Sequence, residues 1–357
     1  RLDVIDGVMG LMVEEGTTNL FTNSRLLNNG SGWTPTSATA WVDSSGEYPY
    51  IHCEEKYDGV YQTLSLSATT YTLTYLVKHK AGSNTIGSHF DGPPSMKMKI
   101  RVDGGAWVND NIITVPSDGN WHLVEIQATY TRAGDYKVYL QPGRGVAEVS
   151  EFYFKYAQLE QKPYDTSFID GTRAAETLTI PTAGVLNPQE GTIECWVYVP
   201  EFWKPGKPGY WRRIWGIEGE EGNGVYILRY DPNGKMVFGI YDDAGTPQNI
   251  SVDKPSIGWH FFAAKWSASE MALFIDGVKV GSIANPSLPS SFADTVISIG
   301  CLRYAPYDNV NTLIDDLRIS NRARTDQEIL SLYQSGQPAP KDANTTLKLT
   351  FDGNLTP

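Results

Sequence analysis

The residue types best placed to do chemistry in this 357-residue sequence are aromatic rather than acidic or nucleophilic. A pyranose has an apolar C–H face and a polar rim, so a site that holds one pairs an exposed aromatic plate with hydrogen-bonding groups. In the first half, Tyr57 and Tyr61 in KYDGVYQ, the neighbours His89 and Phe90, and Trp107 offer that combination. In the second half, GYWRR supplies Tyr210, Trp211 and Arg213, and RYAPYDN supplies Tyr304 and Tyr307. Both stretches are turn-rich, as binding loops usually are. Against each of these positions stands the plainer reading that a Trp or Tyr is packed in a core.

Catalytic arrangements are missing from the pattern. Hydrolysis of a glycan needs two carboxylates facing one cleft, about 5 to 10 Å apart, and no strand carries acids in an ExDxxE-like alternation. Glu218, Glu220 and Glu221 lie in a Gly-rich loop (IEGEEGNG), and Asp242 and Asp243 in a turn. The histidines form no HxH or HExxH pair, and no GxSxG elbow occurs. His122 and His260 each follow a Trp in a strand-like run (NWHLVE, GWHFFA), which reads as architecture. The expectation is a protein that is not an enzyme.

The elements that must position the aromatics are strands. Runs such as YTLTYLVKH (71–79), MKMKIRVDGG (96–105), WHLVEIQATY (121–130), DYKVYLQPG (135–143), GTIECWVYV (191–199) and MALFIDGVKVGSI (271–283) alternate and end in turns. The sequence has 34 Gly, 21 Pro, 20 Tyr and 10 Trp, a mixture suited to many short strands with tight turns. One helix is predicted where Thr325 and Glu328 make a capping box and Gly336 a stop. The fold class is therefore all-β: two tandem antiparallel β-sandwich (jelly-roll) domains with one short helix near the C-terminal end. Alternation lapses at QKPYDTSFIDGTRAAE (161–176), which gives an entry segment 1–15, a first domain 16–163 and a second domain 164–357.

Composition narrows the partners. The net charge is −12, and the densest basic pair in the aromatic loops is Arg212–Arg213, so a nucleic acid partner is not expected, because phosphate contacts need clustered Lys and Arg. No apolar run approaches the roughly 20 residues of a membrane-spanning helix, and no membrane insertion is expected. Cys53, Cys195 and Cys301 have no metal-ligand spacing, and Cys195 and Cys301 lie in strand-like runs that read as buried positions. The chain opens at Arg1 without Met, which reads as a processed protein or a fragment of a longer one.

The first half resembles jelly-roll carbohydrate-binding modules of the family 4/9 type, on NLFTNSRLLNNGSGW, YQTLSLSATTYTLTYLVKHKAG, WHLVEIQATY and FYFKYAQLE in that order. Such modules commonly carry a calcium-binding aspartate pair in the final strand. Here Lys155 and Tyr156 stand in those places, and a cation beside a calcium site is unfavourable. The second half resembles laminin-G-like, concanavalin A-like sandwiches, on GTIECWVYVP, WHFFAAKWSASEMALFIDGVKVGS and LIDDLRISNRARTDQEILSLY. That resemblance implies a structural calcium at Asp315. On physical grounds Asp276–Gly277 makes a hairpin turn, Trp259 and Trp266 fill the sandwich core, and Arg318 and Arg322 lie on the surface beyond the strand. GLMVEEGTTNLFTN and AQLEQKPYDTSFIDGTRAAET are similar to stretches of bacteriophage tail and prophage structural proteins. They imply a virion tail or baseplate-associated, or extracellular, receptor-binding protein. Its partners would be host cell-surface polysaccharide and other tail proteins, in a homotrimer. The alternatives are ancillary carbohydrate-binding modules of a secreted bacterial glycoside hydrolase, or a purely structural assembly protein.

TTLKLTFDGNL (345–355) reads as a strand and turn. Related laminin-G-like domains begin with such a strand, and the second domain has none at its own start. Residues 346–352 are expected to supply it from the C-terminal side, bringing Asp352 beside Asp315.

Overall fold

The computed structural model describes residues 2–5, 8–14, 16–92, 97–145, 148–200, 203, 211–218, 223–302, 308–336 and 340–351. Tyr210, Tyr304, Tyr307 and Asp352 lie outside them. The chain forms two compact units, residues 17–173 and residues 1–16 together with 174–357. The architecture is all-β with antiparallel sheets, and the only regular helix of any length among the described residues is Asp326–Ser335. No helix among them is long and apolar enough to cross a membrane.

In the unit 17–173, a six-stranded sheet runs in the order Lys97–Val102, His122–Thr129, Thr70–Gly82, Ser150–Glu160, Tyr50–Cys53, Trp41–Asp43. A second sheet joins Gly134–Leu140, Val60–Leu66 and Thr34–Pro35. Single bridges Gly87↔Gln141 and Phe90↔Val138 extend it towards the pair Thr85–Gly87 and Ile112–Thr114. Alternation decides which side chains meet between the sheets, because successive residues of a strand point to opposite faces. Leu73, Tyr75, Val77, Val124, Ile126, Phe152 and Phe154 from the large sheet meet Val60, Leu66, Val138 and Leu140 from the other in one core.

In the other unit, one sheet is ordered Leu2–Ile5, Val8–Met12, Leu313–Ser320, Gly191–Val199, Gly258–Trp266, Glu270–Ile275, Val278–Ala284. The facing sheet is ordered Leu178–Pro181, Val296–Ile299, Arg212–Ile217, Tyr226–Tyr230, Lys235–Tyr241, Pro247–Asp253. Trp215, Tyr226, Phe238 and Trp266 fill the space between them. The helix Asp326–Ser335 starts at the capping box of Thr325 and Glu328 and ends at Gly336 in the left-handed region. Its Ile329 packs on Phe261, Ala263, Ala272 and Phe274, outside the first sheet. Burying an isoleucine in this way stabilises by roughly 1.5–3 kcal/mol.

Three placements differ from the sequence expectations. Residues 1–15, read as an entry segment, belong to the second sandwich: Leu11 pairs with Ile314 and Met12 with Leu313, and the division falls at 173/174 rather than 163/164. A short pairing explains the later boundary, since Thr172 and Arg173 bond to Thr18 and Thr17 and so stay with the first unit. Arg318 is buried, not on the surface, because its Nε donates to the buried Glu194 at 2.6 Å. Trp259 is only half-buried, on an edge-to-face contact with Tyr198, while Trp266 is in the core. All three cysteines are buried and unbonded.

The strand Leu313–Ser320 has Gly191–Val199 on one side. On its other side lie two short strands end to end, Val8–Met12 at one half and Thr345–Leu349 at the other. Leu349 and Phe351 reach the core.

Candidate functional site

The outward face of the smaller sheet in residues 17–173 gathers several sequence candidates. In Val60–Leu66 the buried residues Val60, Gln62 and Leu66 alternate with Tyr61, Thr63 and Ser65. In Gly134–Leu140 the buried Val138 and Leu140 alternate with Lys137 and Tyr139. Tyr139 lies directly opposite Tyr61 in the register, and the two rings have centroids 5.1 Å apart. The His89 ring lies 5.5 Å from Tyr139. Tyr61, Tyr139 and His89 thus form a continuous half-buried aromatic row, and cross-strand aromatic pairs of this kind stabilise the sheet as well as shaping its surface.

Polar groups rim the row. The Lys137 ammonium sits 4.5 Å from the Tyr61 centroid. Asp91 accepts from the Tyr139 hydroxyl at 3.2 Å and lies 3.2 Å from His89 Nε2. Arg144 stands 5.0 Å over the half-exposed Tyr57 ring and donates to Gln141 Oε1 at 3.1 Å. Gln141 in turn donates to the Tyr57 carbonyl at 2.7 Å, which holds Tyr57 at a φ of +74°. Burial and the Arg144 charge keep His89 below the usual histidine range, so it is neutral at pH 7. Burial and then Asp91 push the Tyr139 phenol up to about 12, so it stays a donor. The face combines aromatic plates with neutral and charged hydrogen-bonding groups, and among the described residues it has no carboxylate pair set for acid–base work.

Sequence reasoning missed Tyr139, Lys137, Asp91 and Arg144. The alternation of DYKVYLQ carried the signal for Tyr139, but only the pairing with Tyr61 puts the two rings on one face. One of the expected residues is corrected. Phe90 is fully buried, because its bridge to Val138 turns it inward. Trp107 stands beside the other sheet, with Lys99 4.0 Å and Arg101 4.4 Å from its ring centroid.

In the other unit, Trp211 and Arg213 are described and are structural. The Arg229 guanidinium covers the Trp211 ring at 3.8 Å. Arg213 is 5% exposed, and both oxygens of Glu218 accept from it, at 2.5 and 3.1 Å. A guanidinium engaged in this bidentate way is not open to a ligand. Glu218 is likewise committed, which removes it as a candidate acid. Asp315 is buried beside Trp196 in the register, and its Oδ1 accepts from the Asp316 amide at 2.8 Å. Among the described residues, no three acidic, histidine or cysteine side chains converge on a metal-sized point. A calcium here would depend on Asp352, which lies outside them.

Comparison with known proteins agrees with the fold of the second unit. A search of curated protein sequences gave no significant match. Similar solved structures include the receptor-binding domain of botulinum neurotoxin C/D mosaic serotype, at 14% identity over 46% of this chain and 40% of that one, with a TM-score of 0.37. Another is the binding domain of botulinum neurotoxin DC in complex with rat synaptotagmin II, at 16% identity over 48% and 42%, with a TM-score of 0.38. The chain spans 40% and 42% of those two structures, and at that overlap the likeness carries no argument about function. Residues 170–330 match the laminin-G type of the concanavalin A-like lectin/glucanases superfamily.

Proposed function

We propose that this chain is a non-catalytic recognition protein that binds surface glycans through the outward face bearing Tyr61, Tyr139 and His89. The observation that carries the reading is the row of rings in cross-strand register, rimmed by Lys137, Asp91 and Arg144. Such a row can stack on successive sugar faces while the rim bonds hydroxyls. The lectin-type fold of residues 170–330 is consistent with that role.

The finer setting proposed is a virion tail or baseplate, with host cell-surface polysaccharide as ligand, other tail proteins as neighbours and a homotrimer as the assembled state. It rests on the segments 10–23 and 157–177 and on their similarity to tail proteins. Light scattering tests the trimer, and a monomer at micromolar concentration would remove it. The second unit is further proposed to hold a structural calcium at Asp315 with Asp352. Chelation is then expected to lower its melting temperature by several degrees, and an unchanged melting temperature would remove the ion without touching the recognition site.

The recognition reading is tested by a glycan array followed by calorimetry on the best neutral oligosaccharide. Tyr61→Ala or Tyr139→Ala is expected to weaken binding about tenfold, equivalent to about 1.4 kcal/mol. Unchanged affinity in both variants, or no binding to any host polysaccharide, would sink it. Release of reducing ends from the bound polysaccharide would overturn the non-catalytic part.

A further inference from the structure

The opposite face of the same unit, the outside of its six-stranded sheet, carries a second cluster that the site above does not use. Tyr153 is directly opposite Lys78 on one neighbouring strand and opposite Tyr50 on the other. The Tyr50 and Tyr153 centroids are 5.9 Å apart, and Trp41, 39% exposed, lies 5.5 Å from Tyr50. At the other end of the row, Tyr48 and Trp121 meet edge to face at 4.8 Å. Tyr48, Tyr50, Trp121 and Tyr153 are half-buried and Trp41 is exposed; Lys80 lies 4.0 Å over the Tyr50 ring and His52 stacks on Trp41 at 4.6 Å.

Lys155 joins this face through a β-bulge. Phe154 pairs with Val77 and Tyr156 with Leu76, so Lys155 between them has no partner across the sheet. A bulge re-aims the extra side chain. The result is two ammonium groups over one ring: Lys78 lies 5.2 Å and Lys155 4.8 Å from the Trp121 centroid. Both also lie near Tyr48, at 6.0 and 5.8 Å.

Two ammonium groups around one ring gather positive charge, and proteins ordinarily set a carboxylate beside such a group. Here no carboxylate of the described residues pairs with either lysine. The acids nearby are committed elsewhere. Glu151 is held by Lys80 and by His52, and Asp43 accepts from the Ser45 amide and the Tyr50 hydroxyl. In a chain of net charge −12, two uncompensated ammonium groups inside an aromatic box are a local reversal of sign.

We propose that this face is a second binding site, for a saccharide bearing anionic substituents. The anionic group is taken by Lys78 and Lys155 beside Trp121, while the sugar rings lie along Tyr153 and the exposed Trp41. Carboxylate of a uronic acid and a sulfate or phosphate ester share that chemistry. A long nucleic acid fits less well, because only two uncompensated cations face the net negative charge of the chain.

The test is calorimetric titration of the full chain with oligogalacturonate, with sulfated dextran oligomers, with neutral dextran and with an oligothymidylate of matched charge. The Lys78→Gln/Lys155→Gln double variant keeps most of the aliphatic stems, and its melting temperature provides the folding control. At least one anionic saccharide is expected to bind, with an affinity that falls with added salt and drops at least tenfold in the double variant. Tyr61→Ala leaves that binding unchanged, so loss of this site and loss of the opposite one are distinguished. Uronate and sulfated arms identify the anionic group. Equal binding of wild type and double variant, neutral dextran binding as tightly as the anionic oligomers, tighter binding of the oligothymidylate, or no anionic saccharide bound would each overturn the proposal.

Discussion

The charged side chains of this protein divide by what neutralises them. Arg318 and Arg324 are buried, Arg318 against Glu194 and Arg324 against Asp342 in a bidentate pair at 2.8 and 3.0 Å. Such pairs fix geometry and are costly to break singly. Asp165 has two carboxylates near it, and they outweigh the nearby Arg101. Burial, and then the carboxylates of Glu125 and Glu160, push its carboxyl up to about 8 from an ordinary 3.8. Between those values the folded state keeps a proton that the unfolded chain releases, so this group makes stability fall as pH rises from about 4 to about 8. Asp165→Asn removes the slope. Its melting temperature is expected to match the wild type near pH 4 and to exceed it by several degrees at pH 8, as read by a thermal melt across pH. A constant offset at every pH would assign the change to packing instead.

At the scale of elements, the same small device appears in both units. Asp103 and Asp276, each at positive φ before a glycine, end a strand. Each accepts from the Nδ1 of a histidine that follows a tryptophan: His122 at 2.6 Å and His260 at 2.7 Å. Each also accepts from the next backbone amide, Leu123 or Phe261, both at 2.9 Å. Turn and strand are thereby locked together, which is why the Trp–His dipeptides are architecture rather than chemistry. The strand Thr345–Leu349 is a second element with a defined job. It pairs with Leu313–Ser320 and delivers Phe351, 1% exposed, to the core. Phe351→Ala is expected to destabilise the second unit by about 3–5 kcal/mol, measured by denaturant unfolding. A loss below about 1 kcal/mol would mean that the core closes without this segment.

For the whole molecule, the division into 17–173 and 1–16 with 174–357 makes a truncation prediction. Residues 17–173 contain a complete core and are expected to unfold cooperatively when made alone. Residues 174–357 made without 1–16 lose Leu11 and Val13 from their core and half of one sheet edge. That piece is expected to be clearly less stable than the same unit with residues 1–16, by calorimetry. An equal melting temperature would show that Val8–Met12 is dispensable.

Much of this was legible in the residues themselves. Period-two alternation, Asp–Gly turns and the Thr325–Glu328 capping box announce an all-β chain with one helix, because they are local signals that tertiary contacts here reinforce. What local pattern could not decide was which strands become neighbours and which face of a strand meets solvent. Phe90 and Tyr61 look alike as aromatic candidates, yet the bridge to Val138 buries one while the register with Tyr139 presents the other. Arg213 looks like a binding-loop cation and is consumed by Glu218, five residues on. Lys155 signalled only a lost calcium ligand, until the bulge placed it beside Lys78 over Trp121. Sequence determined the elements, since each follows from the conformational preference and polarity of a few consecutive residues. Tertiary structure decided the surfaces, since these depend on register and pairing between segments up to three hundred positions apart.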